Sequence, residues 1–144
     1  MILLDTCFII YELQEGEEKR FEEFCRRDDV FVTSFNIAEL EHVSKNIPAI
    51  EKPLRRLLKS GAIKILEISV SPGEQEVEEK FANDADEKIL RIIHDPSDAV
   101  LIAAAIKNKA DVITRDKHHI FKTALENELN QYKIAVYNDV SSIN

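Results

Sequence analysis

The sequence predicts a three-layer α/β fold, a five-stranded parallel sheet covered by helices on both faces. Three observations carry this. Short aliphatic runs alternate with longer segments of helical periodicity along the whole chain. Capping residues, prolines and glycines stand at the changeovers. The 144 residues contain no repeat, no low-complexity tract and no Gly/Pro/Ser-rich linker, so residues 1–144 read as a single domain with one core. Strands that alternate with helices in this way pair in parallel through right-handed crossovers.

Ile2-Leu3-Leu4 is a short apolar run ending at Asp5, and Thr6 to Gln14 follows at helical spacing. Glu17 to Arg27 sets Phe21, Phe24 and Cys25 on one helical face, and Val30 to Thr33 is a second strand. Ser34 is a natural N-cap for a helix carrying Ile37, Leu40 and Val43. Pro48 to Ser60 forms another helix with Gly61 as its C-cap, and Ile63 to Ile68 a third strand. Pro72 to His94 reads as a long acidic helix that Asn83 and Asp84 interrupt at most. Asp95 and Pro96 suit the cap and first residue of a new helix running to Lys109, with the stripe Val100, Ala103, Ala104 and Ile106. Asp111 to Thr114 is a fourth strand, Ile120 to Asn130 a helix, and Ile134 to Tyr137 a fifth strand.

Composition narrows the class. With 44% hydrophobic and 32% charged residues the chain is an ordinary globular one. It has no signal-peptide core and no apolar stretch near the ~20 residues of a spanning helix, which points to a soluble, cytoplasmic protein without a membrane partner. Cys7 and Cys25 lack metal or redox spacing and read as small buried hydrophobes. A net charge of −8 argues weakly against a nucleic-acid partner, because two acidic runs, Glu12 to Glu23 and Glu74 to Glu87, read as solvated helix faces, and a bound cation reverses the local field.

Ligands of open α/β sheets gather beyond the C-terminal strand ends. Asp5 ends the first strand, and Asp116 follows the fourth by two residues; in the strand order 3-2-1-4-5 these strands are neighbours. Glu39 lies just over one turn into the helix after the second strand, and Asp98 in the first turn of the helix before the fourth. Each has an ordinary structural role to set beside a chemical one. Asp5 can cap a helix, Asp116 can close an Asx-turn, Asp98 can complete a capping box with Asp95, and Glu39 can be a surface residue. Those roles do not account for the set, since four acids brought together repel unless a cation neutralises them. All-oxygen donors favour Mg²⁺ or Mn²⁺ over zinc. His118 and His119 read as rim residues, and the stripe Lys52, Arg55, Arg56 and Lys59 as a solvated face.

Four segments together resemble the PIN domain family: Leu3-Leu4-Asp5-Thr6, Asn36-Ile37-Ala38-Glu39-Leu40, Pro96-Ser97-Asp98-Ala99 with the helix Leu101 to Ala105, and Ile113-Thr114-Arg115-Asp116. The resemblance spans nearly the whole chain in order. It implies a five-stranded parallel sheet in the order 3-2-1-4-5 and divalent-metal-dependent endoribonuclease activity, as in the VapC toxins of toxin–antitoxin pairs. Carried over, Asp5, Glu39, Asp98 and Asp116 form the acidic quartet that holds Mg²⁺ or Mn²⁺, with Thr114 orienting Asp116 from behind. An RNA substrate, an antitoxin partner and a homodimer follow as expectations of the same kind. The acidic segment Glu74 to Glu87 departs from the pattern.

The rival from another class is a non-catalytic PIN-fold module that binds RNA or protein, against which an intact quartet speaks. A receiver-like domain wants an acceptor Asp ending the third strand, where the chain has Leu66-Glu67-Ile68. A dinucleotide or P-loop enzyme needs a glycine-rich loop, and the only glycines are Gly16, Gly61 and Gly73.

Overall fold

The computed structural model describes residues 1–115 and 123–142. In chain order the elements are β1 (Ile2–Leu4), α1 (Thr6–Glu15), α2 (Glu18–Cys25), β2 (Val30–Thr33), α3 (Ser34–Ser44), α4 (Pro48–Lys59), β3 (Ile65–Leu66), α5 (Gln75–Ala85), α6 (Ile89–Ile92), α7 (Pro96–Asn108), β4 (Asp111–Ile113), α8 (Thr123–Asn130) and β5 (Val136–Tyr137), with a 3₁₀ turn at Val140–Ser142. The strands form one parallel sheet in the order β3-β2-β1-β4-β5. The expected architecture and strand order are both present.

Alternation along the strands creates the three layers, because successive side chains point to opposite faces. In β1, Ile2 and Leu4 join a cluster with Phe8, Ile9, Phe21, Phe24, Leu40 and Leu54, whereas Leu3 faces the other cluster. Likewise Val112 of β4 packs under α7 while its neighbour Ile113 turns to the α1 side. Helices α1 to α4 therefore cover one face and α5 to α8 the other. Helix α7 is buried on all sides from Ala99 to Ala105, not along one stripe, since it lies between the sheet and α5. Its run of alanines lets both neighbours approach closely.

Local chemistry moves several expected boundaries. Thr33, not Ser34, caps α3, its hydroxyl accepting from the Asn36 N–H at 3.0 Å; Ser34 instead bonds the backbone of Ile68. Helix α4 is capped by Ser60, and Gly61 follows in the left-handed region at φ 74°, where a side chain would be strained. The third strand shrinks to two residues at the edge of the sheet. The long acidic helix breaks at Asp86, two residues beyond Asp84. Asp86 is extended, and its Oδ1 accepts from the Lys88 N–H at 2.9 Å, a local turn that outcompetes helix continuation. Asp95 and Pro96 start α7 as expected, with Asp95 Oδ1 accepting from the Ser97 N–H. Among the described residues no helix is long and apolar enough to cross a membrane.

Candidate active site

The carboxyl ends of β1, β2 and β4 meet at one edge of the sheet. The Asp5 N–H donates to the Ile113 carbonyl at 2.9 Å, extending the β1–β4 ladder by one residue and setting Asp5 beside Thr114. Both carboxylate oxygens of Asp5 are engaged. Oδ1 accepts from the Thr6 N–H at 2.7 Å, so the residue does cap α1, and Oδ2 accepts from the Thr114 hydroxyl at 2.6 Å. Asp5 thus takes the capping role with one oxygen while the other is bonded to the neighbouring strand end. Thr114 is fully buried and contacts Asp5, the acid on the neighbouring strand.

Glu39 belongs to the same cluster. The Thr6 hydroxyl donates to Glu39 Oε1 at 3.1 Å, and the Asn36 side-chain amide donates to Thr6 Oγ1 at 2.8 Å and to Glu39 Oε1 at 3.4 Å. Asn36 and Glu39 share a face of α3 because they are three residues apart. Asn36 is 2% exposed, and its own Oδ1 accepts from the Thr33 hydroxyl at the end of β2. Burial is the main cause that pushes the Glu39 carboxyl up to about 7. The Thr6 bond opposes it, and the charges of Asp5, Asp98 and Glu78 add to it. Glu39 is therefore not the surface residue that its neighbours Glu41 and His42 suggested.

Asp98 stands half-buried in the first turn of α7, where its charge reaches Glu39. Asp116, His118 and His119 lie outside the described residues. Of the four expected acids, Asp5 and Asp98 therefore both act on Glu39 at the carboxyl ends of the strands.

Sequence reasoning passed over other members of this neighbourhood. Cys7 is half-buried, not a core hydrophobe, with Sγ 3.1 Å from Asp5 Oδ2 and 3.3 Å from Thr114 Oγ1. Burial first, then the Asp5 charge, pushes its thiol up to about 12, which keeps it a neutral donor. Glu78 contradicts the expectation of a solvated acidic face on α5: it is 4% exposed, and its Oε1 accepts from the Ser97 hydroxyl at 2.7 Å. The signal was in the spacing, since Glu78 is followed at three, four and seven residues by Phe81, Ala82 and Ala85, which pack into the core. On α4, Arg55 pairs with Glu51 and Arg56 with Glu18 at the surface, in keeping with a solvated face.

The chemistry of the donors fits a hard divalent cation. The carboxylates of Asp5, Glu39 and Asp98 offer oxygen only, and their like charges raise the cost of ionising Glu39 until a cation offsets them. Among the described residues no three His, Cys, Asp or Glu side chains stand close enough together to hold a metal ion by themselves.

Solved structures share this arrangement of elements. The chain is similar to VapBC2 from Rickettsia felis bound to a DNA fragment from their promoter, with a TM-score of 0.63 at 15% identity, covering 96% of this chain and 99% of that one. It is also similar to FitAcB from Neisseria gonorrhoeae, with a TM-score of 0.59 at 21% identity, covering 96% and 97%. A toxin–antitoxin complex from Klebsiella pneumoniae matches with a TM-score of 0.57 at 14% identity over 85% and 92%. At these identities the likeness is one of fold. No curated protein matches the chain in sequence. The PIN domain model matches residues 2–124, and the chain belongs to the PIN domain family.

Proposed function

We propose that the chain, residues 1–144 acting as one unit, is a divalent-metal-dependent endoribonuclease that hydrolyses RNA phosphodiester bonds. What supports this most is the bonded cluster Asp5–Thr6–Glu39 at the sheet edge, within the field of Asp98, in a member of a family generally made of nucleases. Asp5, Glu39, Asp98 and Asp116 would hold Mg²⁺ or Mn²⁺, and Thr114, bonded to Asp5, would fix that carboxylate from behind. A bound cation of this kind polarises the scissile phosphate and lowers the pKa of the attacking water.

The protein's own contribution is preorganisation. Thr114 and Cys7 fix the Asp5 side chain, while Thr6 and Asn36 fix Glu39. Mutually repelling carboxylates are thereby held near one another before substrate arrives, which spares reorganisation during the reaction. The attack on phosphorus is in line with the departing oxygen.

The Klebsiella pneumoniae structure is described as a toxin–antitoxin complex, and on that likeness we assign this chain the toxin's part and an antitoxin protein as partner; the homodimer is the assembly that the family resemblance implies. We place it in the cytoplasm; both cysteines are free, which suits a reducing compartment. The test is cleavage of RNA and of single-stranded DNA of the same sequence with Mn²⁺, with Mg²⁺ and with chelator. Metal-dependent cutting of the RNA supports the reading. Folded, inhibitor-free protein that cuts nothing points to a non-catalytic binding module, and copurification with the product of the neighbouring gene tests the partner.

A further inference from the structure

Glu78 is a buried carboxyl outside the proposed ligand set. It occupies the core-facing stripe of α5 with Phe81 and Ala82, a place where an apolar side chain is the ordinary occupant, while the adjacent Val77 is 41% exposed. Burying a carboxylate is costly unless a cation or a full set of hydrogen bonds compensates. Among the described residues no Lys, Arg or His forms an ion pair with Glu78. Its neighbours in charge are acids: Glu78 adds to the field at Glu39, as do Asp5 and Asp98. Positive charge arriving among these acids would meet a negative field to which Glu78 contributes.

The hydrogen bond from Ser97 gives Glu78 a second connection to the site. Ser97 immediately precedes Asp98 in the first turn of α7 and is held twice, its N–H by Asp95 Oδ1 at 3.0 Å and its hydroxyl by Glu78 Oε1 at 2.7 Å. Helix α5 is thereby tied to the turn that carries Asp98.

We propose that Glu78 is a positioning residue of the carboxylate site: through Ser97 it holds the first turn of α7, and its charge strengthens the site's hold on a divalent cation. This rests on the metal-dependent nuclease reading. It gives the acidic segment that departs from the family pattern a part in the chemistry.

The experiment compares wild type, Glu78→Gln, Ser97→Ala and, as a control on the exposed face of the same helix, Glu76→Gln. Mn²⁺ binding is read by calorimetric titration and by the rise in Tm, alongside RNA cleavage across a Mn²⁺ series. Glutamine keeps an acceptor for Ser97 and removes the charge. Glu78→Gln is expected to melt in chelator at or above the wild-type Tm, and to bind Mn²⁺ roughly tenfold more weakly, the lower end for a residue supporting metal ligands. Ser97→Ala keeps the charge and loses the tie, so it is expected to cut more slowly even at saturating Mn²⁺, and Glu76→Gln to match wild type throughout. Unchanged Mn²⁺ affinity in Glu78→Gln, an equal change in Glu76→Gln, or a Glu78→Gln protein that melts earlier or fails to fold would overturn the proposal. Wild-type protein that neither binds Mn²⁺ nor cuts overturns the nuclease reading and this inference with it, whereas a wild type that does both beside an unaltered Glu78→Gln overturns this inference alone.

Discussion

The Thr114 hydroxyl donates to Asp5 Oδ2 across 2.6 Å and ties the end of β4 to the end of β1. The bond is fully buried on the threonine side and half-buried on the aspartate side. Thr114→Ala is expected to leave the sheet intact and to lower metal affinity or cleavage by roughly 10–100-fold, the usual range for a partner of a metal ligand. Thr114→Ser keeps the hydroxyl and should recover most of the loss. A Mn²⁺ series on both variants checks this, and equal loss in Ser and Ala would assign the residue to packing alone.

Asp5→Asn separates the two roles of that residue. Asparagine is as good an N-cap as aspartate, so α1 should survive and the circular dichroism spectrum and Tm should stay near wild type. The carboxylate charge is gone, and cleavage should disappear. Retained activity would remove Asp5 from the site.

The Glu39 carboxyl gives a pH dependence of defined sign. Its value in the folded protein, about 7, lies above the ordinary 4.5, so the folded state binds more protons between those limits. Its contribution to stability is therefore intact below about 4.5, declines as pH rises toward 7 and stays low above that. In chelator, the difference in Tm between Glu39→Gln and wild type should grow from pH 5 to pH 8 in favour of the variant. Added Mn²⁺ should raise the wild-type Tm more at pH 8 than at pH 5. A difference that does not vary with pH would contradict the assigned cause.

Asn36 holds Thr6 and Glu39 from a position that is 2% exposed. Asn36→Ala strands those partners and is expected to cost about 1–3 kcal/mol of stability, the penalty of unsatisfied buried groups, and to reduce cleavage as well. Denaturant unfolding measures the first effect. A loss confined to stability would make Asn36 a structural residue only.

Much of this arrangement was legible in the sequence because it rests on local signals. Val30 to Thr33 appears as a strand with the expected limits, and Asp95-Pro96 marks the start of α7, since proline and a capping carboxylate act within a few residues. Asp5, Glu39 and Asp98 were named from their places at strand ends and in helices, and the fold sets Glu39 within the field of the other two. What was not legible depends on contacts between distant segments. Glu78 looked like one more acid in an acidic run until α5 packed along α7 and brought it to Ser97. Cys7 looked apolar until β4 set Thr114 beside it. The third strand looked longer than two residues because Ile63 to Ile68 is apolar at the right spacing, but only Ile65 and Leu66 pair in register with β2, with the Lys64 carbonyl just before them accepting from the Val32 N–H. The break at Asp86 came from a turn that its own side chain makes with the Lys88 N–H.

The most direct test is cleavage of an end-labelled RNA panel by purified protein with Mn²⁺, with Mg²⁺ and with chelator, beside an Asp98→Asn variant of matched Tm. Cleavage by wild type that disappears both with chelator and with the loss of the Asp98 charge is the expected result. Cleavage that persists in chelator or in Asp98→Asn, or none from folded wild type under either metal, would contradict a carboxylate site built for a divalent cation.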